Sequence, residues 1–162
     1  NARDKDAIVS SLIIAEMAAF YNSKGTSIYK ELQKLYQEFG YYLEGIKSVT
    51  LTGKDGIEKM ANLMTELRET VKDRTIDKNI KIKRDFKTKK ELIVETGEEK
   101  DILLPVENVI QFVLEDDTYI TARPSGTEPK IKFYFSVNAP TKEEVEKKLN
   151  ETMEKFVATL KL

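Results

Sequence analysis

The stretch that most limits the possible folds is Thr121 to Val137, TARPSGTEPKIKFYFSV. Ile131, Phe133, Phe135 and Val137 alternate with Lys130, Lys132, Tyr134 and Ser136, and a period of two puts the first set on one face of a strand and the second on the other. A strand with one apolar face needs a sheet beside it and a cover over that face. Thr118 to Ala122 supplies a neighbouring strand, and Arg123-Pro124-Ser125-Gly126-Thr127-Glu128-Pro129 between the two is rich in turn formers. The turn also suits an anion. Arg123 can grip a phosphate or carboxylate through two parallel N–H bonds, and Ser125 and Thr127 carry hydroxyls. Gly126 lets the backbone come close to a ligand, and the two prolines stiffen the loop. Lys130 and Lys132 make the local field positive, with Glu128 subtracting from it. On the residues alone, an ordinary turn with a solvated arginine stays open beside this reading.

The rest of the chain divides by character. Asp6 reads as the N-cap of a helix closed by Lys24-Gly25, and its Ile8, Val9, Leu12, Ile13, Ile14, Met17 and Phe20 spread around nearly the whole circumference. A second helix from Ser27 to Phe39, stopped by Gly40, places Ile28, Leu32, Leu35, Tyr36 and Phe39 on one side. After a boundary near Gly40 to Glu44, Ile46 to Leu51 reads as a strand and Thr52-Gly53 as a turn. Asp55 to Thr70 then reads as a helix with Ile57, Met60, Leu63, Met64 and Leu67 inward. Ile76, Ile80 and Ile82 suggest a strand through Phe86, whereas Lys87 to Lys90 and Thr96 to Lys100 read as solvated loop. Val109 to Leu114 and Thr118 to Ala122 flank a two-residue turn at Asp116-Asp117. The last helix opens on a capping box at Thr141 to Glu144 and turns Val145, Leu149, Met153, Phe156, Val157 and Leu160 inward. The order strand, helix, four strands, helix predicts an α+β fold, an antiparallel sheet packed against two helices and preceded by a helical hairpin.

Composition narrows the chemistry. The chain has 162 residues, no His and no Cys, so disulfides, thiol catalysis and the usual zinc ligands are excluded. A net charge of -1 gives no general attraction to nucleic acid or an anionic membrane. The basic run at Lys81, Lys83, Arg84, Lys87, Lys89 and Lys90 is interleaved with acids, which favours a solvated face over a nucleic-acid footprint. Ala7 to Tyr21 is too short and too polar at Glu16 to cross a bilayer, and no signal-peptide pattern precedes it; a cytoplasmic setting is expected. Asp4 and Asp6, separated by Lys5 at a helix start, read as dipole and cap partners rather than metal ligands.

The run from Arg123 to Ile131, with its Lys-Ile-Lys-Phe-Tyr-Phe continuation, resembles the phosphate-binding loop in the last domain of the α-D-phosphohexomutases, the phosphoglucomutase and phosphomannomutase family. The continuation is closer to bacterial phosphoglucomutases than to phosphoglucosamine mutases. The resemblance implies that Arg123, Ser125, Gly126 and Thr127 hold the substrate phosphate that is not being transferred, with Lys130 as a possible secondary contact. It implies that residues 43–162 form the fourth domain, built like the repeat unit of the TATA-binding protein, and that residues 1–42 are the helical tail of the third, sugar-binding domain. In the family the phosphoserine, the Mg2+-binding aspartate loop and the sugar-selecting loop lie in the earlier domains, and a glucose 1,6-bisphosphate-type intermediate reverses its orientation during turnover. No catalytic or metal residue is then expected in this chain, which begins without Met and reads as a part of a longer protein, the part alone being expected to lack mutase activity and the full-length protein to have it. The implied partners are a hexose phosphate and the remaining domains of the same polypeptide, with neither nucleic acid nor membrane. The helical hairpin, stripped of its cover, is expected to self-associate through residues 7–39. The rival reading is an RNA- or protein-binding α+β module with an inert turn, in which Phe133, Tyr134 and Phe135 form an aromatic platform.

Overall fold

A computed structural model describes residues 5–69 and 79–160; the expectations for Asp4, Thr70 and Ile76 lie outside them. The chain divides into two compact units, Asn1–Tyr41 and Tyr42–Leu162. In the first, α1 (Ala7–Ser23) begins where the Asp6 carboxylate accepts from Val9 N at 2.9 Å and ends before Gly25, whose φ of 72° is the left-handed conformation that glycine tolerates. In α2 (Ile28–Phe39) Ser27 caps the start by accepting from Lys30 N, and Gly40 at φ 86° closes the end. Neither helix contains a buried residue: Ile8 is 78% and Leu12 67% exposed.

The second unit is built on one sheet. Its elements are β1 (Tyr41–Thr50), α3 (Gly56–Glu69), β2 (Ile80–Asp85), β3 (Lys90–Ile93), β4 (Glu98–Asp101), β5 (Ile110–Leu114), β6 (Tyr119–Pro124), β7 (Lys130–Ala139) and α4 (Lys142–Thr159). The strand order is β1-β7-β6-β5-β2-β3-β4, so the connection through α3 carries the chain past three strands before β2 is laid down. The pairings of β2 with β3 and β5, β3 with β4, and β6 with β5 and β7 all run antiparallel.

Six strands therefore follow α3 among the described residues, not four. The added pair, β3 and β4, takes in Lys90 and Glu98 to Lys100, which the sequence pattern assigns to solvated loops. These strands are held by pairing rather than by burial: Lys90 stands opposite Asp101 and binds it at 2.8 Å, and every residue of β4 is exposed. The turn between β5 and β6 also differs from expectation. Leu114 N donates to Thr118 O at 2.9 Å across a three-residue loop, with Asp117 left-handed at φ 56°.

One face of the sheet is covered by helices. Ile110, Phe112, Ile120, Ala122, Ile131, Phe133, Phe135 and Val137 are buried there beneath Leu63, Met64 and Leu67 of α3 and Val145, Leu149 and Phe156 of α4. The Phe156 ring meets Phe133 edge-on at 5.2 Å and Phe135 at 5.7 Å. These phenylalanines fill the core and offer no platform to a nucleobase, contrary to the RNA-binding rival. Ile57 is also displaced from its expected inward position and is 70% exposed. Its neighbour Gly56 is the residue turned against Leu51 and Pro129, and one helical step of 100° then carries Ile57 outward. At the far end of α3, Lys83 Nζ donates to Arg68 O at 2.6 Å and Arg68 lies 3.4 Å from Asp85. Burial pulls the Lys83 pKa down, partly offset by Asp85 and Glu99. The capping box of α4 forms as expected, Thr141 and Glu144 each accepting from the other's amide at 3.2 Å.

Candidate anion-binding site

The turn from Ser125 to Pro129 joins β6 and β7, neighbours inside the sheet, and its shape is fixed from within. Ser125 N donates to Lys130 O at 2.7 Å, and Lys130 N donates to Glu128 O at 2.8 Å. The Ser125 hydroxyl oxygen accepts from Thr127 N and Glu128 N, both at 3.3 Å. A third support comes from outside: Leu51 N donates to Pro129 O at 2.8 Å, tying the back of the turn to the end of β1. Little conformational freedom is left to lose when a ligand arrives.

In the antiparallel register Arg123 stands directly opposite Lys132. Both side chains are exposed on the face of the sheet away from the helices, where they line a depression of about 210 Å³ together with Pro124, Ser125, Gly126 and Tyr134. Like charges placed directly across two strands destabilise the pairing unless something neutralises them. Elsewhere in the sheet such neutralisation is present: Glu91 holds Arg84 at 2.6 Å, and Asp117 holds Lys81 at 3.2 Å. Among the described residues no carboxylate pairs with Arg123 or Lys132.

Arg123, Ser125 and Gly126 thus share one depression. Thr127 sits on the exposed outer part of the turn with its amide engaged by Ser125, and Lys130 is half-buried at the start of β7; neither lines the depression. Lys132 and Tyr134 do, and they are the residues that turn chemistry alone does not select. Their signal is the register, since a turn closed between Ser125 and Lys130 brings residues 123 and 132 face to face. The lining offers a guanidinium, an ammonium and hydroxyls, a donor set matched to a phosphate or carboxylate. Among the described residues no three His, Cys, Asp or Glu side chains converge to hold a metal ion, and no helix is long and apolar enough to cross a membrane.

The chain is 33% identical over 143 residues to the phosphoglucomutase of Staphylococcus haemolyticus, a match that covers 88% of this chain and 26% of that protein. It is 34% identical over 148 residues to the phosphoglucomutase of Staphylococcus aureus strain MRSA252, covering 91% and 27%. This chain is related to the phosphoglucomutases. A third phosphoglucomutase relative, from Staphylococcus epidermidis, is 32% identical over 151 residues. The chain spans about a quarter of the length of these phosphoglucomutases, 26 to 28%. No family model matches it. Among solved structures, the exocytosis-sensitive phosphoprotein pp63/parafusin of Paramecium, a phosphoglucomutase in its open form, aligns with a TM-score of 0.49 at 17% identity. That alignment covers 96% of this chain and 28% of the other.

Proposed function

We propose that this chain is the C-terminal part of a phosphohexomutase and that its β6–β7 turn holds the phosphate that is not being transferred. In this reading residues 43–162 are the fourth, phosphate-binding domain, with the TATA-binding-protein-like architecture of the family. The whole protein interconverts hexose 1-phosphate and hexose 6-phosphate in the cytoplasm, on glucose or mannose phosphates. The phosphoserine, the Mg2+ loop and the sugar-selecting loop belong to upstream domains, so the 162-residue chain alone is inactive. The observation that carries the proposal is the Arg123–Lys132 pair facing one depression beside Ser125 and Gly126, two cations that no carboxylate among the described residues pairs with. An anion there would gain charge-assisted hydrogen bonds and relieve the cross-strand repulsion at once.

Titration of the chain with inorganic phosphate, followed by amide NMR shifts, tests this. Arg123→Ala should weaken binding roughly 10- to 150-fold, the value of one charge-assisted hydrogen bond of about 1.5 to 3 kcal/mol. Arg123→Lys should recover only part of it, because an ammonium cannot reproduce the fork of the guanidinium. In the whole mutase the loss should appear in turnover as well as in KM, since each phosphate of the bisphosphate occupies the cradle in turn. An Arg123→Ala chain that binds phosphate within about twofold of the parent would sink the reading.

The same proposal gives α1 a cover. In the whole protein it is the preceding sugar-binding domain; in the 162-residue chain it is a second copy. Leu12, Ile13 and Phe20 are each more than half exposed on this helix, and burying such a side chain is worth roughly 1.5 to 3 kcal/mol, so several together outweigh a moderate association cost. Sedimentation equilibrium at tens of micromolar should show a dimer that the Leu12→Lys, Phe20→Lys double variant abolishes. A parent chain that stays monomeric under those conditions contradicts the dimer.

A further inference from the structure

The anion cradle opens onto a larger concavity on the same uncovered face of the sheet. A groove of about 840 Å³ is lined by Gln111, Thr121, Tyr134 and Ser136 and, from β1, by Glu44 and Ile46; Tyr134 is common to both depressions. Gln111 stands opposite Thr121, and Thr121 opposite Tyr134. Thr121 precedes Arg123 by two residues on β6, a spacing of roughly 6.8 Å along one face, which a single sugar ring can bridge.

Two polar groups of this groove, Gln111 and Thr121, are held in fixed orientation. Arg84 Nε donates to Glu91 Oε2 at 2.6 Å, and Arg84 Nη1 donates to Gln111 Oε1 at 2.9 Å. A guanidinium only donates, so the amide oxygen of Gln111 must face it, which turns the amide nitrogen toward Thr121, where it donates to Oγ1 at 3.0 Å. One amide hydrogen of Gln111 and the hydroxyl hydrogen of Thr121 then have no acceptor among the described residues. Opposite them the groove carries the Glu44 carboxylate, an acceptor.

We propose that Gln111, Thr121 and Tyr134 form a hydroxyl-binding subsite for the polyol part of a phosphate ester whose phosphate sits at Arg123 and Lys132, with Glu91 and Arg84 as positioning residues. This rests on the anion-site reading above. A hydroxyl both donates and accepts, so neighbouring hydroxyls on one ring satisfy the fixed donors and the carboxylate together. Inorganic phosphate, reaching only the cradle, gains none of this.

The experiment compares glucose 1-phosphate with inorganic phosphate on the 162-residue chain by NMR titration. Glucose 1-phosphate should bind about threefold to tenfold tighter, the worth of one net hydrogen bond. Gln111→Met, and independently Thr121→Val, should erase that advantage and leave phosphate affinity unchanged. Arg84→Met should reduce it and shift the Gln111 side-chain amide signal, which a role confined to packing would not move. Arg123→Ala should weaken both ligands equally. Equal affinity of the parent for the two ligands, or an advantage that survives in a folded Gln111→Met or Thr121→Val chain, overturns the subsite and leaves the cradle standing. If the parent binds neither ligand, the cradle falls and the subsite with it.

Discussion

Replacing Gly56 by alanine is expected to destabilise the second unit by about 3 kcal/mol, at the upper end of what overpacking a core costs. A Cβ at this position would lie 2.2 Å from Leu51 O and 3.0 Å from Pro129 Cβ. Both obstacles are parts of the backbone or of a proline ring, so no rotamer change makes room. The conflict falls where three pieces meet: the end of β1, the first turn of α3 and the back of the anion-binding turn, joined by the 2.8 Å bond from Leu51 N to Pro129 O. A shift large enough to admit the methyl group must lengthen that bond, so phosphate affinity should fall together with stability. The gain of up to about 1 kcal/mol that alanine brings over glycine inside a helix is too small to compensate. Urea denaturation and phosphate titration on one preparation check the result. A Gly56→Ala chain within about 0.5 kcal/mol of the parent would show that β1 and the turn are not locked to α3 as described.

Phe156→Ala should cost still more. This side chain of α4 is 2% exposed and meets Phe133 and Phe135 edge-on, so its removal leaves a cavity between helix and sheet that neither strand residue can fill. Large-to-small changes of this kind cost roughly 3 to 5 kcal/mol. A domain of this size has about 5 to 15 kcal/mol in total, so the variant keeps little margin at 37 °C. Its melting temperature should drop by roughly 10 to 20 °C, whereas Phe156→Leu, which keeps most of the volume, should lose less than half as much. A drop of only a few degrees for the alanine variant would mean that α4 repacks freely and that the aromatic cluster does not organise the core.

What the sequence makes legible here follows from the range of the interaction that fixes each element. The alternation of β7, the caps at Asp6 and Thr141, and the apolar side of α4 are local patterns, and each appears where the pattern puts it. β3 and β4 escape because strand patterns report burial, and Lys90 to Ile93 and Glu98 to Asp101 are held by main-chain pairing with a neighbour while β3 is no more than half-buried and β4 is exposed throughout. Asp117 hides the length of its turn, because a left-handed aspartate cannot be told by its spelling from a right-handed one. Within the candidate site the turn residues and the positive charge of Lys132 are legible, whereas the place of Lys132 opposite Arg123 and the part of Tyr134 in the lining are not. Lys132 and Tyr134 join the depression through register, and the Arg84–Gln111 bond spans 27 residues. Short-range pattern therefore finds the charges near a loop and misses which side chains the register of the sheet brings face to face.

The charged hairpin has a meaning for how this molecule coexists with its own copies. Glu98, Glu99, Lys100 and Asp101 make up the whole of β4, the outermost strand on that side of the sheet. A free strand edge is a template on which another chain can continue the hydrogen-bonded ladder. Any strand arriving there must partly dehydrate a row of ionised side chains, among them Glu98 and Lys100, which pair with each other, and Asp101, which pairs with Lys90. Without the hairpin, the edge would fall to β2, which carries Ile80 and Ile82. The pair of strands with the least share in the core thus acts as a fender: on that side the sheet stops because its last strand is made of charge.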